Sequence, residues 1–331
     1  MYLRQESYDA KYPKVRVIKE QKNFGLQQYV LYDPLETIIE QSSQYPKYQQ
    51  IFLLEDQRFQ FFYFEITKDV EVTITYQDVQ KLIAQKIAQI NQTSKEAFLF
   101  SVIDEVKVNG KPQKFLVGKK GEISCRVTLV YLNRTTLLSF NDVYGDVFNQ
   151  KQITILPKHF YTVEYLKKHL KISSCLLLSI EEMLTEVIQI EDGKYHKIES
   201  INLGINTLMQ MYKDNGITKY RYKDAEEIEE NPYAKGLVVK TLQFYAKLLC
   251  KRLEEMGMGG TTVFLISPII QNIHFMEIFN ETYTQRFTSY IVPLHIPDNI
   301  ETYGKQRELD DIDALIYLNT FQLVKKEGLG L

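Results

Sequence analysis

Apolar positions change period repeatedly along this chain, and the changes mark out alternating strands and helices. In "TYQDVQKLIAQKIAQIN" (75–91) Val79, Leu82, Ile83, Ile87 and Ile90 recur at helical spacing, and Thr75 is placed to cap the first turn. "AFLFSVIDEVKVNG" (97–110) and "ISCRVTLVYLN" (123–133) instead read as strands, joined by the glycine-bearing link "KPQKFLVGKKGE". Upstream, Val15–Ile18 and Leu26–Tyr32 are strand candidates on either side of Asn23-Phe24-Gly25. Asp33-Pro34 opens a helix, "PLETIIEQSS", with proline at its first position. "QIFLLED" and "FQFFYFEI" read as two strands paired around a turn at Asp56–Arg58.

The second half repeats the alternation. "PKHFYTVEYLKKHL" (157–170) predicts a helix with Pro157 near its start and Phe160, Val163, Leu166 and Leu170 facing inward. Three strands follow, Cys175 to Ser179, Leu184 to Ile190 and Tyr195 to Ile201, the last two joined by an Asp192-Gly193 turn. "INTLMQMYKDNG" is a short helix stopped by Asn215-Gly216. The longest helix, "GLVVKTLQFYAKLLCKRLEEMG", buries Val238, Leu242, Tyr245, Leu249, Leu253 and Met256, and Gly257 ends it. "TVFLISP", "IIQNIHFMEIFNE" and "SYIVPL" give strand, helix and strand, and a last helix starts at about Asp311. This order implies an α/β architecture in at least two lobes.

Composition narrows the function by exclusion. The 331 residues suffice for two domains or one large divided fold, and a formal net charge of −2 gives no overall electrostatic case for nucleic acid. The acidic run "DAEEIEEN" (224–231) and the basic, turn-like "KVNGKPQKF" (107–115) read as solvated surface. Cys125, Cys175 and Cys250 are far apart in apolar contexts and form no Cys-x-x-Cys, which points to a reducing compartment rather than to disulfides or a zinc ribbon. The polar N-terminus carries no apolar signal core, and no apolar run approaches the length of a spanning helix, so a soluble, cytoplasmic chain is expected.

Chemistry-bearing motifs are scarce. His159 and His169 sit ten residues apart on one predicted helix, turned roughly 80° from each other, and His196, His274 and His295 lack acids or cysteines at metal spacing, so no metal site is expected. No Walker loop, Gly-x-Ser-x-Gly or Gly-x-Gly-x-x-Gly occurs. Asp310 and Asp313 complement a helix dipole, the aromatic run "FQFFYF" (59–64) reads as core, and "MGMGGTT" (256–262) reads as a helix cap and loop.

The order of elements resembles the actin-like FtsA/PilM family. Residues 74–133 are similar to the small SHS2-type subdomain inserted in those proteins: Ile74, Thr75, Asp78 and Val79 match its opening. Val108-Asn109-Gly110 matches a strand end, and Leu116-Val117-Gly118-Lys119-Lys120-Gly121 matches the following link. The three strands of 175–201 and the strand–turn–helix "VFLISPIIQNIHFMEIFNE" resemble the later lobe, and the likeness spans roughly residues 33–325. It implies a two-lobed actin-like (ribonuclease H-like) α/β fold. Residues 1–73 and 134–172 would form the first lobe, 74–133 the insertion, and 173–331 the second lobe with a reduced helical part at about 205–256.

The same resemblance predicts where a nucleotide would bind. The family's phosphate link, Asp-Ile-Gly-x-x-x-Thr, falls on Ser179, Ile180, Glu181 and Thr185, with Gly204 after the third strand. Glycine admits phosphate close to backbone N–H groups, and the acid orders magnesium; Ser179 and Glu181-Glu182 supply neither. Carboxylates ~4 Å from phosphate cost about 4 kcal/mol per contact at an effective dielectric near 20. The adenosine turn falls on Ser267-Pro268-Ile269, without its paired glycines, and residues 1–32 hold no Asp-x-Gly loop.

These losses predict a non-catalytic scaffold without cofactor, acting through protein partners such as a short segment of a membrane protein. Gly118, Lys119, Lys120 and Gly121 are the candidate partner-binding positions, and self-association or filament formation is a further expectation. The division-type FtsA role, at the inner face of the membrane through a partner, ranks ahead of a PilM-type platform of type IV pilus or secretion machinery. A divergent, magnesium-dependent ATPase is the rival.

Overall fold

The computed structural model describes residues 2–5, 14–17, 48–70, 76–113, 120–144, 153–168, 170–181, 183–217 and 232–294. The chain divides after Thr162 into two compact units, and the protein is mixed α/β.

The first unit holds two sheets. One has the order β2-β1-β3-β8, from Tyr2–Gln5 (β1), Lys14–Val17 (β2), Tyr48–Leu54 (β3) and Ile153–Pro157 (β8); β3 and β8 run parallel. The other has the order β4-β7-β5-β6, from Phe59–Val70 (β4), Ala97–Val108 (β5), Lys111–Pro112 (β6) and Gly121–Leu132 (β7), all antiparallel. Strand β4 pairs with β7 without a register shift from Phe59 opposite Leu132 to Val70 opposite Gly121.

Helix α1 (Tyr76–Asn91) covers one face of this second sheet. Its Val79 and Ile83 are buried against Ile123, Cys125, Val127, Leu129 and Tyr131, the alternate residues of β7. Phe62 and Phe98 meet the Tyr131 ring edge-on at 5.3 and 5.5 Å. The β5–β6 hairpin turns on Asn109 and Gly110, both at positive φ (50° and 74°), which the Asn-Gly pair accommodates at little cost.

Several expectations for this half need correction. Residues 50–54 and 59–66 are both in strands, but the two do not pair: β3 joins the first sheet and β4 the second, with a 3-10 turn (Asp56–Arg58) separating them. A twelve-residue partner, β7, competes successfully for β4 because long antiparallel pairing satisfies far more backbone than a short hairpin. Pro157 closes β8 rather than opening a helix; α3 begins at Phe160 and runs to Lys168. Phe160, Val163 and Leu166 are buried as expected, whereas Leu170 lies beyond the helix and is exposed. Helix α2 (Arg134–Tyr144) and strand β8 are elements that the apolar pattern does not announce.

The second unit is built on one five-stranded sheet of order β11-β10-β9-β12-β13. Cys175–Ile180 (β9), Thr185–Glu191 (β10) and Lys194–Ile201 (β11) form an antiparallel meander; Val263–Ile266 (β12) and Ile291–Pro293 (β13) add on in parallel. Strand β9 sits in the middle with every residue buried, which is why its sequence is apolar without alternation. Leu176, Leu178, Ile180, Val187, Val263 and Leu265 share a core with three helices: α4 (Ile205–Asp214), α5 (Pro232–Glu255) and α6 (Ile273–Phe287). Leu242, Tyr245 and Leu249 of α5 and Phe275, Phe279 and Tyr283 of α6 complete it. Burying each such side chain contributes about 1.5–3 kcal/mol.

The glycine-rich stretch after α5 is a cap, as its composition predicts. Gly257 takes φ 67°, its N–H donates to the Glu254 carbonyl at 2.9 Å, and the Met258 N–H donates to the Leu253 carbonyl at 2.8 Å, a Schellman closure. Lys197 of β11 donates to the Met256 carbonyl at 2.8 Å, placing a cation at the negative end of the helix dipole. The strand expected at 26–32, the helix at 34–43 and the closing helix lie outside the described residues, as do Thr75, His169, Glu182, His295, Asp310 and Asp313.

Candidate functional site

The link between β9 and β10 gathers the residues that the sequence singles out in the second unit. Strand β9 enters at Ser179 and Ile180, and β10 leaves at Thr185, directly opposite Ile180. The turn closes when the Glu181 N–H donates to the Leu184 carbonyl at 2.9 Å. The Ser179 hydroxyl, 4% exposed, donates to the Glu181 carboxylate at 3.4 Å. The Glu181 N–H is therefore already used inside the turn.

Neighbouring elements consume the remaining polar groups. Thr185, fully buried, donates its hydroxyl to the Leu203 carbonyl at 2.6 Å. The Tyr245 hydroxyl of α5 donates to that same carbonyl at 3.3 Å, and burial pushes this phenol well above its ordinary range. Gly204 caps α4 from an extended conformation (φ −112°, ψ −174°), and its carbonyl accepts from the Thr207 N–H. The first amide of α4, Ile205 N–H, donates to the Glu181 carbonyl at 2.7 Å. A helix N-terminus offers its free amides to anions, and here one of them is committed to the turn.

Ser267 completes the cluster from the far side of β9. It follows β12 and caps the 3-10 turn Pro268–Gln271. Its hydroxyl donates to the Ile180 carbonyl at 2.8 Å and accepts the Ile269 N–H at 3.3 Å. Ser179, Glu181, Thr185, Gly204 and Ser267 thus meet around the ends of β9, β10 and β12. Leu203, Tyr245 and Ile205 complete the same network without any signal in the sequence. Tyr245 reads there as one residue of an apolar helix stripe, which it also is.

The exposed corner of this cluster carries an apolar side chain. Met183 is 55% exposed, and its sulfur accepts from the Asn206 side-chain amide at 3.2 Å. In the first unit, Gly118 and Lys119 lie outside the described residues, Lys120 is exposed, and Gly121 takes φ 120°. The Asn109 side chain fills the space beside Gly121, where a Cβ would come within 2.2 Å of it, and accepts the Glu122 N–H at 3.0 Å. Glycine at 121 is thereby explained by hairpin packing.

His159 and His196 are placed differently from the sequence expectation. His159 precedes α3 instead of lying on it; it is fully buried, and its backbone N–H donates to the Asp56 carboxylate at 2.9 Å. His196 has an acid nearby after all, Glu191 at 3.5 Å, on an exposed surface. Cys125, Cys175 and Cys250 are buried thiols, and burial pushes Cys175 and Cys250 up to about 12.

No family model matches the chain, and no curated protein does. Solved structures are similar to it. A PilM–PilN type IV pilus biogenesis complex matches at 10% identity and TM-score 0.46, over 98% of this chain and 95% of that one. A Bacteroides thetaiotaomicron protein with actin-like ATPase fold and unknown function matches at 10% identity and TM-score 0.37, over 96% and 95%. Spiroplasma citri MreB 5, bound to AMPPNP, matches at 10% identity and TM-score 0.36, over 60% and 68%.

Proposed function

We propose that this chain is a non-catalytic actin-like scaffold that works through protein partners and holds no nucleotide at the β9–β10 link. One observation carries the reading. The groups that a phosphate would need there, the Glu181 and Ile205 amides and the Thr185 and Ser267 hydroxyls, are committed to partners inside the fold. Replacing those bonds by bonds to phosphate would unmake the turn, and the Glu181 carboxylate would repel the ligand by about 4 kcal/mol at ~4 Å. Division-type FtsA action, at the inner membrane face through a membrane protein's short segment, is the role proposed first.

Thermal melting with and without magnesium ATP tests the nucleotide part. A ligand selective for the folded state raises the melting temperature, so an unchanged transition at millimolar ATP is expected. A rise of a few degrees supports the divergent-ATPase alternative and overturns the proposal. A fluorescent fusion in the native cell tests the partner part. A mid-cell ring supports the division role, and co-localisation with pilus machinery, as a PilM-like platform would show, replaces it.

A further inference from the structure

Three dipeptides of this chain carry the elements of an internal reaction: Asn109-Gly110, Asn215-Gly216 and Asp192-Gly193. In each, the glycine nitrogen can attack the side-chain carbonyl carbon of the preceding residue and close a succinimide ring, and glycine has no side chain to obstruct the approach. Local sequence treats the two Asn-Gly pairs alike. The fold does not. Ring closure needs a glycine N–H free to give up its proton, a polarised side-chain carbonyl and a leaving group that nothing holds. At Asn215-Gly216 the Gly216 N–H donates to the Lys213 carbonyl at 2.9 Å, and the Asn215 Nδ2 donates to the Met211 carbonyl and the Thr241 hydroxyl, both at 3.0 Å. At Asp192-Gly193 the Gly193 N–H donates to the Ser173 carbonyl at 2.6 Å. Either pair must break these bonds before it reacts.

Asn109-Gly110, the turn between β5 and β6, is arranged the opposite way. Both residues are exposed, and among the described residues neither the Gly110 N–H nor the Asn109 Nδ2 has a hydrogen-bond acceptor. The Asn109 Oδ1 accepts the Glu122 N–H at 3.0 Å, which polarises Cγ and supports the charge that gathers on this oxygen during attack. Nothing lies within 4 Å of where a Cβ on Gly110 would stand, so the turn has room to close the ring. We infer that Asn109 is a site of spontaneous deamidation in the folded chain, selected by the fold from the three candidates. Hydroxide takes the Gly110 amide proton, and the nitrogen bonds to the Asn109 Cγ. The Cγ–Nδ2 bond then breaks, Nδ2 taking a proton from water and leaving as ammonia. Water opens the succinimide: cleavage at Cγ gives aspartate, and cleavage at the main-chain carbonyl gives isoaspartate. Both products put a carboxylate at the tip of the β5–β6 hairpin in place of a neutral amide. Isoaspartate also lengthens the main chain at a residue whose backbone N–H donates to the Glu122 carbonyl at 2.8 Å. The inference is independent of whether a nucleotide binds.

Ageing the folded full chain in mildly alkaline buffer tests this, with peptide mass spectrometry whose fragmentation separates aspartate from isoaspartate. Asn109 should convert at least about tenfold faster than Asn215, and faster still as the pH is raised, because Asn215 must first lose its hydrogen bonds. Asp192 should show no isoaspartate over the same period. In urea, where those bonds are gone, the two asparagines should convert at similar rates. Gly110→Ala, whose Cβ hinders the attacking nitrogen, should slow conversion of Asn109 at least about tenfold, with circular dichroism to confirm that the variant is folded. Equal rates at Asn109 and Asn215 in the folded chain overturn the inference. So does an Asn109 that converts only after unfolding, or one that Gly110→Ala leaves unchanged.

Discussion

The Thr185 hydroxyl donates to the Leu203 carbonyl at 2.6 Å, and this bond ties the first residue of β10 to the segment between β11 and α4. Thr185 and Ile180 are the two residues that match the expected Asp-Ile-Gly-x-x-x-Thr pattern. The Thr185 hydroxyl nevertheless faces inward and serves the fold.

Removing that hydroxyl should therefore cost stability. Thr185→Val keeps the shape and leaves the Leu203 carbonyl with Tyr245 alone, a loss of about 1–2 kcal/mol. Tyr245→Phe should cost a similar amount. Urea unfolding of both single variants and the double variant checks this, and the shared acceptor predicts that the two losses will not add.

Ser267→Ala removes two bonds at once, to the Ile180 carbonyl and from the Ile269 amide. About 1–2 kcal/mol of destabilisation is expected, combining a buried hydrogen bond with a lost cap. Hydrogen exchange should show the Ile269 amide, in the 3-10 turn, losing protection before the amides of α6. Unchanged exchange there would contradict the assigned geometry.

Gly259 is close-packed rather than merely flexible. A Cβ on it would sit 2.4 Å from the Phe287 ring, which is itself held 4.7 Å from the Tyr283 ring centroid. Gly259→Ala should lower stability by about 1–3 kcal/mol through overpacking. Gly216→Ala has open space, so strain from its positive φ (77°) is the only cost there. Thermal melts of the pair separate the two causes.

Alkali should unfold the second unit progressively. Cys175, Cys250 and Tyr283 are each pushed up to about 12 by burial, so all three stay protonated in the folded chain. The unfolded chain releases those protons from about pH 9 upward, and stability falls from there to about pH 12. Below about pH 7.5 these groups contribute almost no pH dependence. Melting temperatures from pH 8 to 11 should show the decline, and Cys250→Ala should flatten it.

Much of the fold is legible in the residues themselves. The helical spacing of Val79, Ile83 and Ile87, the alternation of Ile123 to Tyr131, the Asn109-Gly110 and Asp192-Gly193 turns and the Gly257 cap are local signals, and each decides its own element. The β9–β10–β11 meander is equally local, because its strands are adjacent in the chain. Helix α2 stays hidden because only one of its described side chains, Phe140, is fully buried, so its pattern barely departs from that of a polar link.

What the sequence determined alone is which side chains stand at the ends of β9, β10 and β12: acids and hydroxyls where a phosphate link has glycine and aspartate. What only the tertiary structure decided is where those groups spend their hydrogen bonds. The pairing of β4 with β7 instead of β3, and the convergence of Thr185 and Tyr245 on the Leu203 carbonyl, join residues 18 to 73 positions apart. Nothing in a local pattern encodes such a meeting. It follows from the folded chain satisfying its buried polar groups all at once.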